Sequence, residues 1–296
     1  MFPRIVARST ALLLCLLALA CRAAAAEPKV LYEKQSAYNA ILVTEDAEGL
    51  RTLSFEKNGV RQSVVKVGDA DHVELPYARA MPVGLALLAE PRRVLIVGLG
   101  GGTIPSLLRK HYPNMTIDVV DIDPDVVAVA KRFFGFREDA AMHAYVRDGR
   151  RFIEECREPY DLIFLDAYGS ENIPYHLATR EFLQAARRAT SPKGAVVGNV
   201  FDATFNRLYG SMVRTYQEVF DELYVLDVPD RGNKILFGLP RAARLQRADL
   251  ARRARIISQQ KGLRFDLGNL VADGWHRESH LDPQARILLD KDKPAE

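Results

Sequence analysis

Two patterns of apolar and polar residues divide the chain. Over residues 29–66, short alternating runs are broken by turn residues. Leu42-Val43-Thr44 gives way to Glu45–Leu50, and the run 50–57 ends at Asn58-Gly59 before a further run over 60–66. An Asn-Gly pair between β-rich segments marks a hairpin, because both positions tolerate positive φ. A small antiparallel β unit is expected over 27–75. From Val94 the period changes. Aliphatic runs over 93–99, 116–121, 143–147, 160–166 and 194–201 alternate with helical spacing over 104–111, 124–134, 149–156, 179–189 and 205–220. Runs apolar at nearly every position suit parallel strands covered on both faces. The last two runs, 223–228 and 234–239, are joined by Pro229–Asn233. That connection is too short for a parallel crossover, so this pair must be antiparallel. The pattern predicts an α/β fold: a doubly wound, mostly parallel, seven-stranded Rossmann-like sheet over 76–240, preceded by the small β unit. Residues 241–296 are expected to form a helical extension.

The first 26 residues stand apart. Arg4 and Arg8 precede the apolar run 11–21, and Arg22 and Ala23–Ala26 follow it. A basic start, a short apolar stretch and small residues at the end predict a cleaved secretory signal and an exported protein. An uncleaved anchor, or a lipid on Cys21, is the alternative, and the membrane enters the picture only there. This segment also accounts for the net charge. The chain has 41 Lys+Arg against 38 Asp+Glu, and residues 1–26 hold three arginines and no acid. The remainder is neutral, which gives no footprint for a nucleic-acid partner. The arginine-rich stretch 241–255 reads as a solvated helix face. Of the cysteines, only Cys156 lies outside the leader, so neither a disulfide nor a cysteine metal site is expected. No other metal site is expected.

Candidate chemistry begins where the first parallel strand ends. Gly98-Leu99-Gly100-Gly101-Gly102 stands between that strand and a helix. In open α/β sheets a ligand binds outside the carboxyl ends of the strands, and glycines let it approach the backbone. The loop departs from the six-position dinucleotide pattern at Thr103 and has no P-loop lysine. Acids end the strands that follow. Asp121, 23 residues after Gly98, is placed to accept both hydroxyls of a ribose. Asp148 is placed to accept from an adenine amino group or to cap the next helix, and Asp166 lies nearest the reacting end. The combination implies an adenine nucleoside ligand.

These residues resemble the spermidine synthase (polyamine aminopropyltransferase) family, which has the S-adenosylmethionine-dependent methyltransferase-like fold. The resemblance runs over roughly residues 30–240. The segment Ser36–Val43 is similar to the family's N-terminal Ser-x-Tyr-Gln-x-Ile-x-Val, with Asn39 in place of Gln. Val94–Thr103 matches the glycine loop, Asp121-Ile122-Asp123 the ribose-binding acid, and Arg147-Asp148-Gly149 the adenine contact. Leu165-Asp166 with Ile173–Leu183 matches the substrate loop and the helix after it. The resemblance implies S-adenosylmethionine or its decarboxylated form as donor, with Gly98, Gly100, Gly101, Gly102, Asn39, Asp121 and Asp148 holding it. It implies aminopropyl or methyl transfer to a small-molecule acceptor, an amine first of all, with Asp166 as the catalytic carboxylate, and a homodimer. Two acceptor-site acids of the family are glycines in this chain, Gly101 in the loop and Gly169 after the fourth strand. Tyr77, Tyr168, Tyr175, His176 and Asp202 are the candidates to line an altered acceptor pocket. A nucleoside-binding protein without turnover is the alternative reading. A nicotinamide-dependent oxidoreductase is a third, against which Thr103 and the terminal hairpin count.

Overall fold

A computed structural model describes residues 27–57, 59–169, 173–229 and 232–293. The expected leader, 1–26, and Asn58 of the expected Asn-Gly turn lie outside the described residues.

The described residues fold into two sheets. The first is an antiparallel meander of β1 (Lys29–Gln35), β2 (Ala40–Glu45), β3 (Leu50–Ser54) and β4 (Arg61–Lys66), paired in chain order. Alternation turns Ile41 and Val43 inward with Leu53 and Phe55. This face is too small to close a core alone. It packs on Val126, Val129 and Phe134 of the larger unit. The turn between β1 and β2 is bound to the same place. Ser36 Oγ donates to Asp123 Oδ2 at 2.5 Å, and Lys34 Nζ lies 2.7 Å from Asp125 Oδ1.

The second sheet is reached through α1 (Pro76–Ala80) and a buried 3-10 turn, Met81–Leu87. Its strands are β5 (Arg93–Val97), β6 (Thr116–Asp121), β7 (Met142–Val146), β8 (Tyr160–Leu165), β9 (Thr190–Phe201), β10 (Glu222–Asp227), β11 (Asn233–Leu239) and β12 (Trp275–Arg277). Their spatial order is β12-β10-β11-β9-β8-β5-β6-β7. Pairs from β7 through β6, β5 and β8 to β9 are parallel, and β11 runs antiparallel between β9 and β10. The helices between strands are α2 (Thr103–His111), α3 (Pro124–Phe133), α4 (Gly149–Glu154), α5 (Arg180–Arg188) and α6 (Tyr209–Val219). Strand order reverses between β5 and β8, and a crevice opens there at the strands' carboxyl ends.

The doubly wound sheet is present as the residue pattern predicts, with two differences. An eighth strand, β12, extends the edge beyond the expected seven. It is three residues long, and it is held by Trp275, whose ring centroid lies 5.0 Å from Tyr224 and 4.7 Å from Phe237. The last crossover helix begins at Tyr209 rather than Phe205. Asn206 Oδ1 accepts the Leu208 N–H at 2.9 Å, and the backbone turns there before the helix starts. After β11 the chain continues through α7 (Arg247–Lys261) and α8 (Leu267–Gly274). Buried Glu222 secures this return: its Oε2 accepts the N–H groups of Ala243 and Arg244, each at 2.9 Å. Among the described residues no helix is long and apolar enough to cross a membrane.

Candidate active site

The crevice is a cavity of about 1010 Å³ between the glycine loop, the ends of β6, β8 and β9, and the first sheet. The loop must bend away from β5 without touching β8. Gly98 has φ 99°, and a Cβ there would lie 2.2 Å from the Asp166 carbonyl oxygen, so no other residue fits. Each loop N–H has a partner. Gly98 donates to Val120 O at 2.8 Å, Leu99 to Asp121 Oδ2 at 2.8 Å, Gly101 to Ser63 Oγ at 2.8 Å, and Gly102 to Leu99 O at 2.9 Å. The Gly100 N–H also reaches the Asp121 carboxylate.

Asp121 therefore does two things. Its oxygens organise the loop, with Oδ1 also accepting the Asp123 N–H at 2.9 Å. It also lines the cavity with a lone pair to spare. Burial pushes its carboxyl up to about 6, opposed by the backbone N–H groups of Leu99, Asp123 and Gly100. Asp148 caps α4, Oδ1 accepting Arg151 N–H at 2.9 Å. Its other oxygen lies 3.0 Å from His176 Nε2. Asn39 lines the cavity from the first sheet. It is 9% exposed, and its Oδ1 has no hydrogen-bond partner.

Asp166 follows β8 and lines the same cavity. Burial pushes its carboxyl up to about 7, against the opposing effect of the Asn199 amide. Asn199 Nδ2 donates to Asp166 Oδ1 at 2.9 Å, and Asn199 Oδ1 accepts from Asn233 Nδ2 at 2.9 Å. Tyr77 donates its hydroxyl to Gln62 O at 2.8 Å, and Tyr168 donates to Asn199 O at 3.0 Å. Both phenols are held well above their usual range, first by burial and then by the Asp166 charge. Phe201 stands edge-on to Tyr168 at 5.3 Å, and Phe205, 65% exposed, stands at the mouth.

Most of the residues singled out in the sequence thus meet around one cavity. Gly98, Gly100, Asn39, Asp121, Asp148, Asp166, Tyr77, Tyr168, Tyr175 and His176 all line it. Gly101, Gly102 and Asp202 are not among its lining residues. A Cβ at Gly101 would sit 3.0 Å from both Ser63 Cβ and Phe134 Cδ1, so this glycine serves the packing of the loop. Gly102 faces Phe136 in the same way. Asp202 Oδ1 accepts the Thr204 N–H at 2.9 Å and shapes the turn that carries Phe205. His176 is paired with Asp148. Residue types did not single out Ser63, Gln62, Asn199 or Asn233. Asn199 did leave a signal, as the one amide in the aliphatic run 195–200. Among the described residues no three His, Cys, Asp or Glu side chains converge as a metal site.

A large crevice at the switch point of a doubly wound sheet, rimmed by strand-end acids, defines a class of Rossmann-like α/β proteins. The comparisons place the chain within it. The spermine/spermidine synthase domain model matches residues 76–231. A polyamine aminopropyltransferase of Vibrio vulnificus is 33% identical over 273 residues, covering 90% of each chain. Human methyltransferase-like protein 13, solved with SAH, aligns with a TM-score of 0.58 at 29% identity, over 64% of this chain and 93% of that one. A spermidine synthase solved with the transition-state analogue AdoDATO aligns with a TM-score of 0.66 at 21% identity, over 83% of this chain and 84% of that one. The chain belongs to the spermine/spermidine synthase family.

Proposed function

We propose that this chain transfers an alkyl group from the sulfonium of an adenosyl donor to an amine, and that its donor is decarboxylated S-adenosylmethionine. The observation that carries the proposal is Asp166, a cavity-facing carboxylate raised to about 7 in the cavity that Asp121 and Asp148 also line. Asp121 keeps a lone pair for a ribose hydroxyl, and Asn39 lines the same cavity. The donor supplies a carbon already activated by the positive sulfur. The residues do the rest. Asp121, Asn39 and Asp148 hold the nucleoside. Asp166 accepts the proton that the amine gives up as its lone pair forms the new C–N bond and the C–S pair returns to sulfur. A carboxylate near pH 7 is matched to that task. Tyr77, Tyr168 and Phe201 shield the position from water.

The choice of donor rests on the loop. Its N–H groups from Gly98 to Gly102 already have acceptors, and those of Leu99, Gly100 and Gly101 are side-chain oxygens of Asp121 or Ser63. A carboxylate or pyrophosphate group would find no free donor there. This favours a donor tail without an acid, and it speaks against a nicotinamide dinucleotide. Methyl transfer from S-adenosylmethionine is the second reading, favoured by Gly101 standing where the family carries an acid and by the methyltransferase likeness. The test is turnover of both donors with a panel of amines. Amine-dependent release of methylthioadenosine supports the first reading, and release of S-adenosylhomocysteine alone supports the second.

A further inference from the structure

After β12 the chain crosses back over α6 and α5, and its last described residue, Lys293, lines the cavity. The family model ends at residue 231, so this segment lies outside it. Leu288 anchors it. That side chain is fully buried, its N–H donates to Thr215 Oγ1 at 3.0 Å, and its carbonyl accepts the Arg180 N–H at 2.8 Å.

Asp290 is gripped far more closely than an anchor needs. Arg150 donates Nη1 and Nη2 to its two oxygens at 2.7 and 2.6 Å, and Thr179 Oγ1 donates to Oδ1 at 2.7 Å. Such a two-point fork fixes the orientation of both partners. The same guanidinium reaches the His176 carbonyl at 3.4 Å, and the Tyr175 hydroxyl donates to Leu289 O at 3.2 Å. The segment therefore holds the 3-10 turn Tyr175–Leu177 directly at Tyr175 and, through Arg150, at the His176 carbonyl. His176 in the middle of that turn sets Nε2 3.0 Å from Asp148 Oδ2. Arg150 stands two residues after Asp148 on α4, so both sides of the Asp148–His176 contact are tied to one carboxylate.

We infer that the segment Leu288–Lys293 is part of the donor site, and that Asp290, acting through Arg150, is a positioning residue that holds His176 and Asp148 in place for the adenine base. The inference rests on the reading of Asp148 as the adenine-side acid. Leu288 serves the core, whereas Asp290 serves the site, and substitutions separate the two roles.

The test measures methylthioadenosine binding by calorimetry in the full chain, for wild type, Asp290→Ala, Asp290→Asn and His176→Ala. Asp290→Ala is expected to weaken binding about tenfold, the size of a lost charge-assisted contact. Asp290→Asn, which keeps an acceptor, falls between, and it remains the readout if the alanine variant does not fold. The donor KM rises while kcat and the amine KM stay as in wild type. His176→Ala weakens binding similarly, and combining it with Asp290→Ala adds little, since both act on one contact. Unchanged affinity in Asp290→Ala and Asp290→Asn, with wild type binding normally, would overturn the inference alone. Wild type that fails to bind methylthioadenosine would overturn the nucleoside reading and the inference with it.

Discussion

Asn199 holds the Asp166 carboxylate at 2.9 Å, and Asn233 holds Asn199 at the same distance from behind. Flipping the amide would lose both of these bonds, so its N–H is committed to Asp166. That bond favours the ionised acid and works against the burial that drives the carboxyl up to about 7. Asn199→Ala removes the bond and should raise this value further, by about one unit. The ionised form is the proton acceptor, so activity falls below that pKa. The acid limb of the kcat/KM profile should move to higher pH by the same amount. A limb that stays in place would separate Asn199 from the working acid.

Asp121 serves ligand and loop together. Asp121→Ala removes an acceptor worth about 1.5–3 kcal/mol to the ribose and frees the N–H groups of Leu99 and Asp123. Methylthioadenosine affinity should fall by one to two orders of magnitude, and the melting temperature should fall with it. Calorimetry and thermal unfolding in parallel check both effects.

The raised carboxyl of Asp166 has a consequence for stability. The folded state binds this proton more tightly than the unfolded chain, whose carboxyl titrates near 3.8. Stability from this group is therefore full below the unfolded pKa and is lost as pH rises through about 7. Asp166→Asn stays neutral throughout. It should leave stability nearly unchanged at pH 4 and raise it at pH 8 by up to about 4 kcal/mol. Denaturant unfolding at the two pH values checks the sign.

Restoring the family's acid in the loop should fail. Gly101→Asp sets a Cβ against Ser63 and Phe134, each 3.0 Å away. Overpacking at this position should cost about 1–3 kcal/mol. Gly101→Asp combined with Gly169→Asp should not form spermidine from putrescine. Spermidine detected by mass spectrometry would contradict this.

The parts of the fold legible in the sequence are those where burial dictates residue type. Strands β5, β8 and β9 are covered on both faces, and their aliphatic runs announce them. The glycine loop was legible because Gly98 has no room for a side chain, and the strand-end acids because charged residues interrupt buried runs there. Contacts between distant segments left no such mark. Nothing near Ser63 or Gly101 in sequence indicates that the first sheet clamps the loop. His176 pairs with Asp148 through a turn 28 residues away in sequence, held by a tail more than a hundred residues further on. β12 is too short to show a period, and it exists because Trp275 has a stacked partner in Tyr224.

The most direct test of the account is amine-dependent release of methylthioadenosine from decarboxylated S-adenosylmethionine, comparing the wild-type chain with Asp166→Asn. Wild type should release the thioether only when an amine is present. Asp166→Asn should lose about 10²-fold or more in kcat while binding methylthioadenosine as tightly as wild type. Equal turnover by Asp166→Asn, or no release by wild type over the whole amine panel, would contradict it.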